Sequence, residues 1–172
     1  MANNIIKYMG NNIGKSLQED SSDSIIQEIF SLSETQNCKI IYPQDVVVGK
    51  DLNGNPQIKE LNEVSSEEMI LDIGPKTAAK LATIISGAGT IVWNGPVGVF
   101  EIEQFGAGTK KLANAIAQSP GFSIAGGGDT LAAIAKYEIE KQIGYISTGG
   151  GAFLEFLEGK TLPAIAVLQE RA

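Results

Sequence analysis

Three short apolar runs in this sequence each end in glycines with polar neighbours. Thr90-Ile91-Val92-Trp93 leads into Asn94-Gly95-Pro96, and Phe122-Ser123-Ile124-Ala125 leads into Gly126-Gly127-Gly128-Asp129-Thr130. Gly144-Tyr145-Ile146-Ser147 leads into Thr148-Gly149-Gly150-Gly151. Glycine lets the backbone approach a phosphate, and a helix starting there offers unpaired amides at its positive dipole end. One such glycine says little, because tight strand-to-helix turns need glycine anyway. Three clusters outside the carboxyl ends of strands in one sheet point to a bound phosphate chain. Asp129 and Thr130 add a carboxylate and a hydroxyl at a helix start. Asp129 suits a magnesium ion bridging phosphates, a hard ligand for a hard ion; either residue also suits a plain helix cap. Asn94, at a strand end, can donate to a phosphate. Glu101 can accept from a ribose or be an ordinary first-turn glutamate, and Trp93 and Phe100 equally suit a core.

The rest of the composition narrows the chemistry. The 172 residues contain no histidine, which excludes a Ser-His-Asp triad, a Cys-His pair and a histidine zinc site. Cys38 is the single cysteine, too few for a disulfide or a thiolate metal site, and in keeping with a reducing compartment. The net charge is −7 and Arg171 is the single arginine. A nucleic-acid partner would call for a basic surface. A small polyanion would usually be clamped by guanidinium groups; this chain could hold phosphates with backbone amides and lysines, but not with an arginine clamp. No apolar run reaches the roughly 20 residues of a membrane span, and Met1-Ala2-Asn3-Asn4 lacks the basic start of a secretory leader.

The elements that must position these residues alternate from about residue 69 onward. Met69-Ile70-Leu71-Asp72-Ile73 is a strand ending at Gly74-Pro75, and residues 77–85 place Ala78, Leu81, Ala82 and Ile85 on one helical face. After the strand at 90–93 comes a helix over 109–118, with Leu112, Ala113 and Ile116 apolar. Helices over 131–139 and 153–158 follow the next two strands, and Ile165-Ala166-Val167-Leu168 reads as a last strand. Strands alternating with helices predict a parallel sheet covered on both faces, and the near-continuous apolar strands agree. Ahead of this, residues 1–9 and 23–34 read as helices, with Asp23 or Ser24 as N-cap. Lys39-Ile40-Ile41-Tyr42 and Val46-Val47-Val48 read as strands, and Asp51-Leu52-Asn53-Gly54-Asn55-Pro56 as a turn between extended segments. Nothing marks a linker or repeat, so one domain is expected.

Gly10-Asn11-Asn12-Ile13-Gly14-Lys15-Ser16 imitates a P-loop but has three residues, not four, between the first glycine and Gly-Lys. It also follows what reads as a helix end, so Gly10 is expected to be a helix C-cap. A Gly-x-Gly-x-x-Gly dinucleotide fingerprint is absent, which argues against an oxidoreductase.

Four segments together resemble the successive signatures of phosphoglycerate kinase, in that family's order and spacing. They are Asp72-Ile73-Gly74-Pro75-Lys76-Thr77, Trp93-Asn94-Gly95-Pro96-Val97-Gly98-Val99-Phe100-Glu101, Gly126-Gly127-Gly128-Asp129-Thr130 and Ser147-Thr148-Gly149-Gly150-Gly151-Ala152. The stretch Phe153-Leu154-Glu155-Phe156-Leu157-Glu158-Gly159-Lys160 and Leu162-Pro163 resemble the family's closing segment. Ile13-Gly14-Lys15-Ser16-Leu17 resembles the exit of a helix in its second domain. The resemblance runs essentially end to end.

The resemblance implies the following. The fold is α/β, a Rossmann-like doubly wound parallel sheet in three layers, truncated on its N-terminal side. Residues 1–172 are part of a C-terminal nucleotide-binding domain, and the N-terminal substrate domain is absent. The family transfers a phosphoryl group between 1,3-bisphosphoglycerate and ADP in glycolysis, in the cytoplasm, with Mg2+ and ATP/ADP. Pro96 and Val99 line adenine, Glu101 meets the ribose and Asn94 the phosphate chain. Gly127 and Gly128 offer backbone, Asp129 holds magnesium and Thr130 bonds the phosphates. Gly149, Gly150 and Gly151 aim amides at the transferring group. 3-Phosphoglycerate binds only through the missing domain, with its arginines and histidine. The chain alone is therefore expected to be inactive, a catalytic part or a non-catalytic nucleotide-binding or structural fragment. Self-association through the truncated sheet edge or the tail is expected as well.

Overall fold

The computed structural model describes residues 1–171, which form two compact units with a boundary inside two helices. The first unit comprises Met1–Leu81 and Val97–Lys111, the second Ala82–Pro96 and Leu112–Ala172.

The first unit is built on strand β1 (Asp45–Gly49), every residue of which is buried. It pairs antiparallel with β2 (Gln57–Glu60) on one side and with β3 (Met69–Ile73) on the other. The β1–β3 register slips between Val47 and Val48. Side chains alternate across the sheet. Val46 and Val48 pack with Ile6, Ile13 and Val64, joined by Ile70. Val47 packs on the other face with Leu71 and Phe105, joined by Met69 and Val99. Burial on both faces explains why β1 and β3 read as continuous apolar runs. It does not fix strand direction, and the expectation that the strand at 69–73 belongs to a parallel sheet is corrected here: it runs antiparallel to β1.

Helix α1 (Ala2–Tyr8) supplies Ile6 to this core. Its end confirms the C-cap reading of Gly10. That residue is left-handed at φ +84. The Gly10 N–H donates to Lys7 O at 2.9 Å and the Asn11 N–H to Ile6 O at 3.2 Å, the paired bonds of a Schellman motif. Lys15 is engaged with Glu67 at 2.6 Å. Helix α2 (Asp23–Thr35) starts as expected, but its N-cap is Ser22, not Asp23 or Ser24. The buried Asn4 side chain donates to that Ser22 hydroxyl at 2.6 Å. Residues 39–42, expected as a strand, have no regular structure. Helix α3 (Pro75–Ser86) begins against the fully buried Asp45, whose carboxylate accepts the Lys76 and Thr77 amides at 2.9 and 2.8 Å.

The second unit holds a parallel sheet, β4 (Thr90–Trp93), β5 (Phe122–Gly126) and β6 (Tyr145–Ser147), in the order β4-β5-β6. The chain is thus α/β with a parallel sheet, as expected. Helices α4 (Ala107–Gln118), α5 (Gly128–Lys136) and α6 (Gly151–Leu157) lie between and after these strands. Ile91 and Trp93 of β4 are buried, with Ala113, Ile116, Ala125, Ala133 and Ile134. The register puts Val92, Ile124 and Tyr145 in one row of the opposite face, and Val92, Phe122 and Tyr145 are about half exposed.

The last segment corrects a further expectation. Residues 165–168 lie in helix α7 (Pro163–Glu170) rather than a strand. Pro163 sits at the first helical positions, where its fixed φ and missing N–H favour a helix start, and this outweighs the β-branched Ile165 and Val167. Among the described residues, no helix is long and apolar enough to cross a membrane.

Candidate functional site

Because β4, β5 and β6 run parallel, their carboxyl ends share one edge. Asn94-Gly95, Gly126-Gly127-Gly128 and Thr148-Gly149-Gly150-Gly151 all follow that edge, as the sequence predicted.

Two of these turns are tied together. Thr130 is fully buried, and its Oγ1 accepts the Gly95 N–H at 2.7 Å. The N-cap of α5 is Gly127, at φ +96. A Cβ there would stand 2.7 Å from Asn94 Oδ1, an exposed side-chain end that can swing aside, so the positive φ is what demands glycine. Gly126 is confined by packing instead, with the Phe153 ring where its Cβ would be. Gly128 differs. It has no positive φ, and a Cβ would meet nothing within 4 Å. Gly151, the first residue of α6, is open in the same way. The fold does not require glycine at either place. A ligand backbone contact would.

Asp129 is exposed in the first turn of α5. The capping position belongs to Gly127, which has no side chain, and Thr130 is turned to Gly95. The bland reading of either as the cap therefore loses its footing. Among the described residues, no group of three or more acidic, cysteine or histidine side chains gathers to hold a metal. An accessible single carboxylate fits the way magnesium is usually held, by one or two carboxylates with phosphate oxygens and water. Gly150, at φ +43, is the N-cap of α6, and the Gly149 N–H donates to Ser147 Oγ at 3.2 Å.

Val99 and Glu101 belong to the first unit. Val99 is half-buried and its N–H donates to Leu71 O at 2.8 Å; Glu101 is exposed. An apolar cavity of about 590 Å³ opens beside Val99, lined in part by Leu17, Leu71, Ile73, Val97, Gly98 and Val99 itself. Its volume suits a small organic ligand. Pro96, half-buried, closes the second unit's segment.

The sequence reading missed Asp72 as more than part of a signature. Its side chain is 1% exposed and lines the same cavity. Burial raises its pKa to about 6, although the Gly108 and Ile73 amides oppose the shift. The signal was available: one acid inside an otherwise apolar strand.

Comparison with known proteins agrees with this architecture. The sequence model of the phosphoglycerate kinase family matches residues 1–160. Phosphoglycerate kinase from Coxiella burnetii superposes with a TM-score of 0.94 at 48% identity, over 99% of this chain and 44% of that one. The enzyme from Pyrococcus horikoshii OT3 gives a TM-score of 0.78 at 37% identity, over 98% of this chain and 43% of that one. The chain thus spans less than half the length of these relatives. At such identity over nearly all of its own length, it belongs to the phosphoglycerate kinase family.

Proposed function

We propose that this chain is the Mg-nucleotide-binding part of a phosphoglycerate kinase, an enzyme that moves a phosphoryl group between 1,3-bisphosphoglycerate and ADP. The observation that carries the reading is the shared edge of β4, β5 and β6, where three glycine turns face one way. Two of their glycines, Gly128 and Gly151, serve no need of the fold.

In this reading the adenine lies against Pro96 and Val99, and Glu101 bonds the ribose. Asn94, Gly127, Gly128 and Thr130 border the phosphates, and Asp129 is the protein's ligand to Mg2+. When bound, the ion neutralises phosphate charge. Gly149, Gly150 and Gly151 present backbone amides to the transferring group, which needs positioning and charge stabilisation more than covalent help. With Arg171 its single arginine and no histidine, the chain lacks the usual means of clamping a phosphorylated carboxylic acid. It is therefore inactive alone and works with the rest of a family enzyme, in the cytoplasm.

Calorimetry with ADP, with and without Mg2+, tests the reading. The wild-type chain should bind ADP more tightly with Mg2+. Asp129→Ala should abolish most of that difference while leaving metal-free binding near its wild-type value. Equal magnesium dependence in both proteins would refute the role of Asp129. A coupled kinase assay, with and without the remainder of a family enzyme, separates a catalytic part from a non-catalytic fragment.

A further inference from the structure

We propose that Asp72 is the positioning residue for the loop of residues 97–101, holding it in the place from which Val99 and Glu101 act. The second half of this statement rests on the nucleotide reading above. The first half rests on geometry alone. The Asp72 carboxylate is buried on β3, and its Oδ2 accepts the Gly108 N–H at 2.7 Å while its Oδ1 accepts the Ile73 N–H at 2.8 Å. The backbones of Gly98 and Gly108 lie so close to this carboxylate that neither position has room for a Cβ. Glycine at both is therefore a condition for the loop and the start of α4 to close on Asp72.

Two further bonds hold the same loop. The Val99 N–H donates to Leu71 O at 2.8 Å, one residue before Asp72. The Val97 N–H donates to Oγ1 of the fully buried Thr109 at 3.2 Å, one residue after Gly108. The loop is thus fastened to β3 and to the start of α4 at adjacent points, with Asp72 between them.

A purely structural role is a poor account of an acid here. What shifts its titration is burial and two amides, with no charged group contributing among the described residues. A buried carboxylate without a cation is costly to keep ionised. Perturbed acids of this kind concentrate at functional sites. An amide-accepting carboxylate at the first turn of α4 gains from the helix dipole what a neutral side chain would not.

The test uses the full chain. In Asp72→Asn the side chain keeps its size but brings an N–H₂ group against two N–H donors. Amide exchange measured without nucleotide should quicken at Gly108, Val97 and Val99 and stay unchanged at Val46 and Val48 of β1. ADP affinity in Mg2+ should fall by about tenfold, the scale of losing one hydrogen bond's worth of positioning. Gly98→Ala, which leaves Asp72 intact and pushes the loop away, should lower affinity similarly. It provides the answer if the asparagine variant fails to fold. The pH profile adds a readout that lost stability would not mimic. Wild-type affinity should fall faster than that of Asp72→Asn as pH drops through 6, the titration of ADP being common to both curves. Unchanged exchange at Gly108 and Val99 would overturn the positioning role. Quickened exchange, together with a wild-type chain that binds no ADP, would uphold Asp72 as the holder of the loop and refute the nucleotide reading instead.

Discussion

The Thr130 hydroxyl oxygen accepts the Gly95 N–H at 2.7 Å, joining the turn after β4 to the first turn of α5. Thr130 is fully buried, so its replacement by valine would leave that amide without a partner. An unsatisfied amide of this kind costs about 1 to 3 kcal/mol. Thr130→Val should lower the unfolding free energy by that amount in urea titrations, and Thr130→Ser by less than about 1 kcal/mol because the acceptor remains. Equal losses in the two variants would show that the methyl group, not the hydrogen bond, is what the site needs.

The three glycines of residues 126–128 should separate by mechanism. Gly126→Ala drives a methyl into the Phe153 ring, and Gly127→Ala is strained at φ +96 and meets Asn94. Each should cost about 1 to 3 kcal/mol. Adding Asn94→Ala to Gly127→Ala should recover only the steric part, since the backbone strain persists. Gly128→Ala should leave stability unchanged or raise it by up to about 1 kcal/mol, because alanine favours a helix. It should nevertheless weaken ADP binding. Unimpaired binding by Gly128→Ala would mean that no phosphate approaches there.

Parts of this architecture are readable from residues alone, and the reasons differ. The helix end at Gly10 is legible because a Schellman motif is local and needs a left-handed residue. The strands at 69–73, 90–93 and 122–126 are legible because each is a short, nearly continuous apolar run bounded by turn residues. Their pairing is not, since Leu71 and Ile70 would face two apolar layers whether β3 ran parallel or antiparallel. Residues 165–168 mislead because Ile165 and Val167 carry a strand propensity that Pro163 overrides from outside the apolar run. The glycine turns are legible as a set, but only coordinates tell the confined Gly126 and Gly127 from the open Gly128. Asp72 is visible as an acid in an apolar strand, whereas its tie to Gly108 spans 36 residues and lies beyond any local pattern.

Besides the truncated edge and the tail, where self-association is expected, one face of the parallel sheet presents apolar side chains to solvent. Val92, Phe122 and Tyr145 are 48%, 55% and 57% exposed, and the register gathers them on one face of the parallel sheet. Parallel sheets are ordinarily covered on both faces. At micromolar concentration the chain should sediment as a species larger than a monomer. Val92→Lys combined with Phe122→Glu should shift it toward the monomer without loss of far-ultraviolet helical signal. A wild-type chain that sediments as a monomer throughout the micromolar range would remove this face as a contact surface.

Stability should rise as the solution is made moderately acidic, contrary to the usual effect of acid. Asp72 has a folded pKa of about 6 against an ordinary value of 3.8, so between these pH values the folded state holds more protons than the unfolded one. Linkage then makes stability fall as pH rises through this window. The penalty is fully developed above pH 6 and absent below the ordinary value. The shift corresponds to about 3 kcal/mol at most. Other acids set the lower limit, Asp45 and Glu68 chief among them because Glu67 is exposed. Burial tends to raise Asp45, but the Thr77 hydroxyl and the Lys76 and Thr77 amides outweigh it and hold its pKa below the ordinary value. Glu68 is lowered chiefly by its hydrogen-bonded ion pair with Lys59, at 2.8 Å. Both contribute stability that is present near neutrality and lost as pH falls through their folded pKa values. Urea midpoints should therefore climb from pH 7 toward about pH 4 to 5 and drop below that. Asp72→Asn should flatten the climb and leave the drop in place. A wild-type profile that declines steadily from pH 7 downward would mean that Asp72 is ionised in the folded chain with no penalty, and that its burial is relieved by motion of the 97–108 segment.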